Sequence, residues 1–468
     1  MSLPLLLCAG VGALGCAERP APSPPPAASR SAAAAATQGA SAPASASAAP
    51  APVASLRRPP GPQNVIIVFV DAMRADMPWQ GYAHAIAPGL TELAAQSVVY
   101  PRAYSVSSYT AKCMGAVLSG RYPSTLYRGP TFFTAYSRAN AFFPELLQQH
   151  GARTMAVQAH GYFDRDKCLS QGFDVWQVVP GLKWNAETDE NVTGPKMTEM
   201  ALSLLGDARN TRGPFLLWLH YMDPHDKYVV HEGVPRFGRR ARDFYDGEIY
   251  FTDMQIQRLL AFCRQQPWWK STVLIVTGDH GEAFGEHEQW KHAFALWEVL
   301  TRVPLMVHGP GIEPRRIEAR RSHIDLAPTV LDLMRLGPDP GHAGHSLAPE
   351  LYGGAPESRE PILLDLPADN YNPPTRALIE GDFKLLEDPG PKYKLYDLVR
   401  DPGETRNLAG VAAYGAELAR LRARFEQVWS KHPYVAPYGG GKLVGGGRAD
   451  GPMGPPGWVD PDGEKRMK

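Results

Sequence analysis

The strongest constraint on the fold is the run Asn64–Val70, in which every residue after the first is apolar and most are β-branched. A strand without alternating polar and apolar side chains is typical of a parallel sheet that is covered on both faces. Comparable runs occur at 215–219, 273–277 and 304–307, and helix-like stretches such as 141–150 and 246–264 lie between them. This alternation predicts an α/β fold built on a large, mostly parallel sheet that is flanked by helices.

Polar residues follow two of these runs at the point where each predicted strand ends. Asp71 follows the first run, and Asp279 and His280 come shortly after 273–277. Because the carboxyl ends of parallel strands meet at one edge of a sheet, we expect these side chains to lie close together. Carboxylate and imidazole groups suit a divalent cation. An aspartate after a strand is also a common turn former or helix cap, so Asp71 alone would leave both interpretations open.

The sequence pattern changes beyond residue 350. Short β-rich segments at 376–379, 383–386 and 394–398 replace the long apolar runs. They predict a smaller C-terminal β-rich subdomain, 351–437, attached to a main catalytic domain, 63–350. The Gly- and Pro-rich residues 438–468 predict an irregular tail.

The N-terminal residues indicate export. Residues 1–16 carry an apolar run of signal-peptide length that ends in Ala13-Leu14-Gly15-Cys16, which resembles a lipoprotein cleavage box with Cys16 as the acylated residue. Residues 17–62 are almost entirely Ala, Pro and Ser and predict a disordered linker. We therefore expect a periplasmic or cell-surface protein that a lipid on Cys16 can anchor to the membrane.

The charge balance narrows the range of partners. The chain has 48 Lys and Arg residues and 48 Asp and Glu residues, so its formal net charge is zero. Such a chain lacks the positive field with which proteins attract nucleic acid, and we expect no nucleic-acid partner. An anionic substrate must therefore be recognised by a local site.

Several segments resemble those of the sulfatase family, a branch of the alkaline phosphatase superfamily, and they occur in that family's order. They are NVIIVFVDAMRAD (64–76), SSYTAKCMGAVLSGRYPS (107–124), FLLWLHYMDPH (215–225), YDGEIYFTDMQIQRLL (245–260), GDHGEAFGEHEQWKH (278–292), RVPLMVHGPG (302–311), HIDLAPTVLDL (323–333) and YDLVRDPGETRNLA (396–409). One such match would be weak, but eight in order are specific. The resemblance implies the fold of that family and hydrolysis of sulfate, phosphate or phosphonate esters of small molecules, glycans or lipids.

The resemblance also implies roles for individual residues. Asp71, Asp279 and His280 match positions that hold the active-site metal. Thr110 matches the nucleophile, which is also a metal ligand, because Ser119-Gly120 falls in the register that the family uses after this residue.

Three more residues match positions around the transferred group. His225 and His292 match positions that grip this group, or that hold a second metal in some relatives. Lys291 lies near a substrate-binding lysine of many members. The neighbouring His220, Asp223 and Asp226 are candidates for orienting His225.

The chain departs from the family pattern in two places. Family members that convert Cys or Ser to formylglycine carry Pro or Ala two positions later and Arg four positions later, whereas Thr110 is followed by Lys112 and Met114. Formylglycine is therefore not expected, and Cys113 is predicted to face the core. Ala72 stands where calcium-binding members often have a second carboxylate, which favours Zn or Mn over Ca as the divalent metal ion.

Physical chemistry supports the same set of residues. Displacement at phosphorus or sulfur needs a nucleophile, a cation and donors around the oxygens, and these residues supply all three. Thr110 would also cap the helix-like stretch 111–118, a structural role compatible with catalysis. Two alternatives remain: a phosphoethanolamine-type transferase, which also uses Thr, and an inactive surface-tethered binding protein, suggested by Lys112 and Met114.

Overall fold

The computed structural model describes residues 58–164, 167–183, 190–387 and 392–458. The predicted signal peptide, Cys16 and nearly all of the predicted linker lie outside the described residues. No helix among the described residues is both long and apolar enough to cross a membrane.

Strands and helices alternate through most of the described chain. The strands are β1 (Asn64–Val70), β2 (Val98–Tyr104), β3 (Arg153–Gln158), β4 (Val175–Val178), β5 (Phe215–Tyr221), β6 (Thr272–Gly278), β7 (Ala283–Phe284), β8 (Trp290–Lys291), β9 (Arg302–His308), β10 (Arg315–Arg316), β11 (Arg321–Ser322), β12 (Ile362–Leu366), β13 (Thr375–Glu380), β14 (Phe383–Glu387) and β15 (Tyr393–Asp397). The α-helices are α1 (Pro88–Ala95), α2 (Thr110–Ser119), α3 (Phe143–Gln149), α4 (Gly194–Gly206), α5 (Ala208–Thr211), α6 (Ala241–Cys263), α7 (Glu298–Thr301), α8 (Leu326–Leu333), α9 (Ala348–Leu351) and α10 (Gly415–Trp429).

The main sheet has the strand order β10-β2-β9-β6-β1-β5-β3-β4, with β11 also pairing with β2. Strands β6, β1, β5, β3 and β4 run parallel, so the predicted α/β fold with a mostly parallel sheet is confirmed. Strand β9 differs, because it pairs antiparallel with both β6 and β2. Its apolar run marks a strand buried on both faces but carries no information about strand direction.

Helices cover the central strands. Every residue of β1, β5 and β6 is buried, as expected for strands enclosed on both faces. Helix α6 contacts α1 and α4, and a second group forms from α2, α3 and α8, of which α8 contacts β1. These two groups enclose the core of the main sheet.

A second sheet follows the main one and is antiparallel, with the order β12-β13-β14-β15. Helix α10 packs on it, and Leu378, Leu385 and Leu395 of the sheet share a core with Leu421 and Phe425 of the helix. The predicted C-terminal β-rich sheet is thus present. The segment between β12 and β13 brings Asp369 to the start of α2, where it contacts Tyr109 and Lys112.

Candidate active site

Three neighbouring parallel strands bring polar residues to one edge of the sheet. Strands β5 and β6 flank β1, and Val70 pairs with Tyr221 on one side and with Gly278 on the other. Asp71 and Asp279 therefore lie side by side, each directly after the last residue of its strand. His220 is the penultimate residue of β5. All three side chains are completely buried.

The spacing of these three groups suits a divalent cation. His220 Nε2 lies 3.5 Å from Asp279 Oδ2 and 3.8 Å from Asp71 Oδ2. Donors of a tetrahedral zinc ion, each about 2.0–2.1 Å from the metal, lie about 3.3–3.4 Å from one another. Among the described residues, neither ring nitrogen of His220 has a hydrogen-bond partner, and Asp279 Oδ2 has none either. Buried polar atoms of this kind are costly without a partner, and a cation at this place would satisfy them.

Thr110 lies at the edge of this cluster. It is the first residue of helix α2, whose N-cap is Tyr109, so the predicted capping role of the Thr110 side chain is wrong. Its Oγ1 instead donates a hydrogen bond to Asp71 Oδ2 at 2.9 Å and lies 3.2 Å from His280 Nε2. Unlike the buried carboxylates, Thr110 is partly exposed. A ligand can therefore approach its hydroxyl from the solvent side, and the N-terminus of α2 favours negative charge at the same point.

The hydrogen bonds of His280 fix its tautomer. Its Nδ1 is 2.9 Å from the carbonyl oxygen of Gly281, which can only accept, so Nδ1 carries the proton and Nε2 presents a lone pair toward Thr110. Burial lowers the pKa of His280 to about 4, against the opposing effect of Asp279. Gly281 is needed here, because a Cβ at this position would lie 2.0 Å from the Val299 carbonyl oxygen.

The carboxyl group of Asp279 is held in its ionised form. Burial alone would raise its pKa, but the neighbouring His280 and His220 imidazoles hold the pKa of Asp279 well below its ordinary value. A charged carboxylate next to a neutral imidazole with a free lone pair is the donor set that a divalent metal ion requires.

Two further histidines continue the site away from Thr110. The ring of His292 lies 4.4 Å from that of His280 and 5.1 Å from that of His225. His225 Nδ1 donates to the backbone carbonyl of Asp226, and His292 Nδ1 lies 3.2 Å from the buried carboxylate of Glu282. Burial, with His225 close by, lowers the pKa of His292 to about 3. With Nδ1 engaged in both rings, Nε2 is the nitrogen of each imidazole that is left to contact a ligand.

Other predicted residues take different places. Asp223 accepts backbone N–H groups of Thr193 and Gly194 at the start of α4 and does not orient His225. The Lys291 ammonium is 2.7 Å from Asp226 Oδ2 on the exposed rim, and its side chain is 46% exposed. The structure thus brings Asp71, Thr110, His225, Asp279, His280 and His292 together, and leaves Lys291 at the margin.

His160 is a site residue that the sequence analysis missed. It follows the next parallel strand, β3, and its ring lies 5.8 Å from that of His225. Its Nδ1 accepts the backbone N–H of Tyr162, so Nε2 must carry the ring proton. Burial lowers the pKa of His160 to about 3, and the ring is a neutral donor at physiological pH. Its position in the sequence could have indicated this role, because it comes two residues after β3, which runs parallel to β5 in the same sheet.

Lys112, which with Met114 departs from the formylglycine pattern, faces away from solvent. It is fully buried, with Nζ 3.5 Å from Asp369 Oδ2, which also accepts the hydroxyl of Tyr109 at 2.6 Å. Burial lowers the pKa of the Lys112 ammonium to about 8, against the opposing effect of Asp369. Lys112 therefore ties helix α2 to the segment between β12 and β13. Cys113 beside it is also completely buried, as predicted.

We expect Lys112→Met to lower the free energy of unfolding by about 3 kcal/mol, because it leaves the buried Asp369 carboxylate without its cation. The measurement is urea denaturation. The matched control is Lys196→Met, which removes an ion pair with Glu199 in which both side chains are about half exposed, and it should cost less than about 1 kcal/mol. Equal effects of the two substitutions would mean that the Lys112 ion pair does not stabilise the fold.

Known proteins resemble this chain in sequence and in fold. The sulfatase family model matches residues 63–336. Choline-sulfatase of Rhizobium meliloti is 24% identical over 428 residues, which cover 75% of this chain and 83% of that protein.

Two solved structures are also similar. The phosphonate monoester hydrolase of Agrobacterium radiobacter has a TM-score of 0.65 at 17% identity and covers 79% of this chain and 96% of its own. A protein solved in complex with its substrate D-glucosamine-2-N,6-O-disulfate has a TM-score of 0.66 at 17% identity, with 79% and 98% covered. Because the family match spans more than half of the sequence, the chain belongs to the sulfatase family and is a sulfuric or phosphoric ester hydrolase.

Proposed function

We propose that this hydrolase depends on a divalent metal ion, uses Thr110 as its nucleophile and acts on phosphate or phosphonate esters more readily than on sulfate esters. The observation that carries the proposal is the position of Thr110 Oγ1, 2.9 Å from Asp71 Oδ2 and 3.2 Å from His280 Nε2 at the start of α2. This hydroxyl has two acceptors for its proton and is the partly exposed member of a buried cluster.

Asp71, His220, Asp279 and His280 are the residues that would hold the metal ion, together with Thr110. His220 adds a nitrogen donor, so the set favours Zn or Mn over Ca. When bound, the ion lowers the pKa of the nucleophile and offsets the negative charge of the ester oxygens.

The protein's own groups carry the remaining steps. Thr110 Oγ1 gives its proton to the Asp71 carboxylate, the acceptor of its hydrogen bond, and forms a bond to phosphorus. The bond from phosphorus to the leaving oxygen breaks in line with it, and that oxygen leaves with the bonding electrons. His160 Nε2–H and the N-terminus of α2 donate to the oxygens of the transferred group. His225 and His292, with their Nε2 lone pairs, orient the water molecule that attacks in the second step. Water then displaces Thr110 from phosphorus and restores the hydroxyl.

The single hydroxyl of threonine decides between phosphorus and sulfur. A formylglycine hydrate has a second hydroxyl, so it can eliminate sulfate without attack by water at sulfur. A sulfate ester of Thr110 has no such route and requires direct displacement at sulfur. A phosphorylated Thr110 can be hydrolysed by direct attack of water at phosphorus.

We expect the p-nitrophenyl ester of a phosphonate, or a p-nitrophenyl phosphate diester, to be hydrolysed with a kcat/KM at least about tenfold above that of p-nitrophenyl sulfate, a difference of about 1.4 kcal/mol in the barrier. The three esters are compared with one preparation of metal-loaded protein. We expect Zn²⁺ or Mn²⁺ to support activity at least as well as Ca²⁺. A clear preference for the sulfate that disappears in Thr110→Ala would contradict this proposal.

We propose that the protein is exported. The apolar residues 1–16 and the linker-like residues 17–62 support export to the periplasm or cell surface, with Cys16 as a lipid attachment site.

A further inference from the structure

Glu282 is a completely buried carboxylate behind the site that takes no part in the steps above. Two side chains from other parts of the sequence donate to it. The Tyr228 hydroxyl donates to Oε2 at 3.0 Å, and His292 Nδ1 lies 3.2 Å from Oε1 and 3.4 Å from Oε2. An ionised carboxylate can only accept, so His292 Nδ1 carries the ring proton. We call these three side chains the Tyr–Glu–His relay.

Tyr228, at the outer end of the relay, is held by aromatic packing. Its ring lies 5.8 Å from that of Tyr245 in an edge-to-face arrangement and 5.9 Å from that of Phe284. Tyr245 is itself completely buried, and its hydroxyl donates to the carbonyl of Ala72 just after β1. The hydroxyl of Tyr228 therefore comes from a well-supported ring and can fix the orientation of the carboxylate to which it donates.

The two histidines that face the attacking water differ in the group behind the ring. His225 Nδ1 donates to the backbone carbonyl of Asp226, which sets the tautomer but carries no charge. His292 Nδ1 donates to the carboxylate of Glu282. A carboxylate at Nδ1 fixes the ring orientation and also stabilises the imidazolium that forms when Nε2 takes up a proton. The relay therefore makes His292 the better proton acceptor of the two.

We propose that Glu282 and Tyr228 are positioning residues for the second step, in which they hold His292 so that its Nε2 accepts a proton from the attacking water. The inference rests on the proposed function and assigns one step of it to the relay. Glu282 touches neither the ester nor the water in this account, and it acts only through the ring of His292.

The second step begins with Thr110 bonded to phosphorus. The water oxygen bonds to phosphorus while the bond from phosphorus to Thr110 Oγ1 breaks. The electrons of that bond stay on Oγ1, which takes back the proton that Asp71 received in the first step. One proton of the water goes to His292 Nε2. The negative charges of the phosphorus group and of Glu282 both favour a proton on His292 at this point, against the effect of burial.

The test reads the two steps separately, with the p-nitrophenyl ester of methylphosphonic acid and metal-loaded full-length protein. p-Nitrophenolate is a good leaving group, so Thr110 is modified quickly and the later hydrolysis limits the steady-state rate. Rapid mixing reads the first step as a burst of p-nitrophenolate and the second step as the steady rate that follows. Mass spectrometry of the acid-quenched intact protein reads the fraction that carries the methylphosphonyl group.

Tyr228→Phe should lower the steady-state rate by about tenfold and Glu282→Gln by about 100-fold. The burst rate should change little in either variant, and the modified protein should accumulate. The matched control is Tyr82→Phe, which also removes a partly buried hydroxyl that donates to a buried carboxylate, that of Asp246 at 2.7 Å. It should leave both rates at the wild-type values.

Equal losses in the burst and in the steady-state rate would overturn the inference, because a merely structural role affects both steps. Unchanged rates in both variants would overturn it as well, and the proposed function would stand if the wild-type protein still carries the modification on Thr110. Hydrolysis without any modified Thr110, in the wild type and in the variants, would contradict the proposed function itself. Tyr228→Phe removes a single oxygen atom, so it decides the question if Glu282→Gln does not fold.

Discussion

Thr110→Ala is expected to lower kcat/KM for a p-nitrophenyl phosphate diester by on the order of 10⁴-fold, because it removes the atom that attacks phosphorus. The remaining rate would come from the cation, His160 and the helix terminus, which still stabilise charge. Thr110→Ser keeps a hydroxyl at the same position and should retain activity well above that of the alanine variant.

A structural role for Thr110 gives a different result. If Thr110 served mainly to stabilise the start of α2 through its hydrogen bond to Asp71, Thr110→Ala would lower the free energy of unfolding with little loss of activity. Serine, which keeps the hydroxyl, would have almost no effect on either property. Thr110→Ala with near-normal activity and a lowered stability would contradict catalysis by this hydroxyl. Steady-state kinetics and urea denaturation on the same samples separate the two roles.

Asp279→Ala is expected to abolish metal binding and to lower activity by on the order of 10³-fold or more, because it removes a charged donor from the centre of the cluster. Asp223→Asn is the matched control. Asp223 is also buried and follows a neighbouring strand, but it accepts backbone N–H groups of Thr193 and Gly194. It should lower stability while the metal content stays at the wild-type level.

The measurement is metal content by mass spectrometry after dialysis, together with kcat. Chelation of the wild-type protein should reproduce the loss, and Zn²⁺ or Mn²⁺ should restore activity to the wild-type protein but not to Asp279→Ala. Full activity in a chelated sample would rule out the metal-dependent mechanism.

The main features of the fold follow from local patterns in the sequence. The apolar runs that became β1, β5 and β6 are fully buried, and such runs have few alternatives to the centre of a parallel sheet. The same patterns place Asp71 and Asp279 directly after strands, and strand order then brings the two residues together. The antiparallel direction of β9 depends on the path of the chain between strands, which side-chain hydrophobicity does not encode.

The rest of the site depends on long-range packing. His220 lies inside β5, and a histidine within a strand can equally well be an ordinary buried core residue. Its position next to Asp71 and Asp279 results from the pairing of β5 with β1, in which His220 lies opposite Phe69. Lys112 gives no indication in the sequence of its partner Asp369, because the two are far apart along the chain and meet only when the second sheet docks. The contact between Phe132 and Tyr371 was not predicted for the same reason, since the two residues lie on separate loops.

The most direct test of the central claim is the stereochemical course at phosphorus. A p-nitrophenyl phosphorothioate diester of one configuration would be hydrolysed by the metal-loaded protein in isotopically labelled water, and the configuration of the product determined by NMR. Transfer to Thr110 and then to water comprises two in-line displacements, so we expect net retention of configuration. Net inversion would mean that water attacks phosphorus directly, and it would contradict the assignment of Thr110 as the nucleophile.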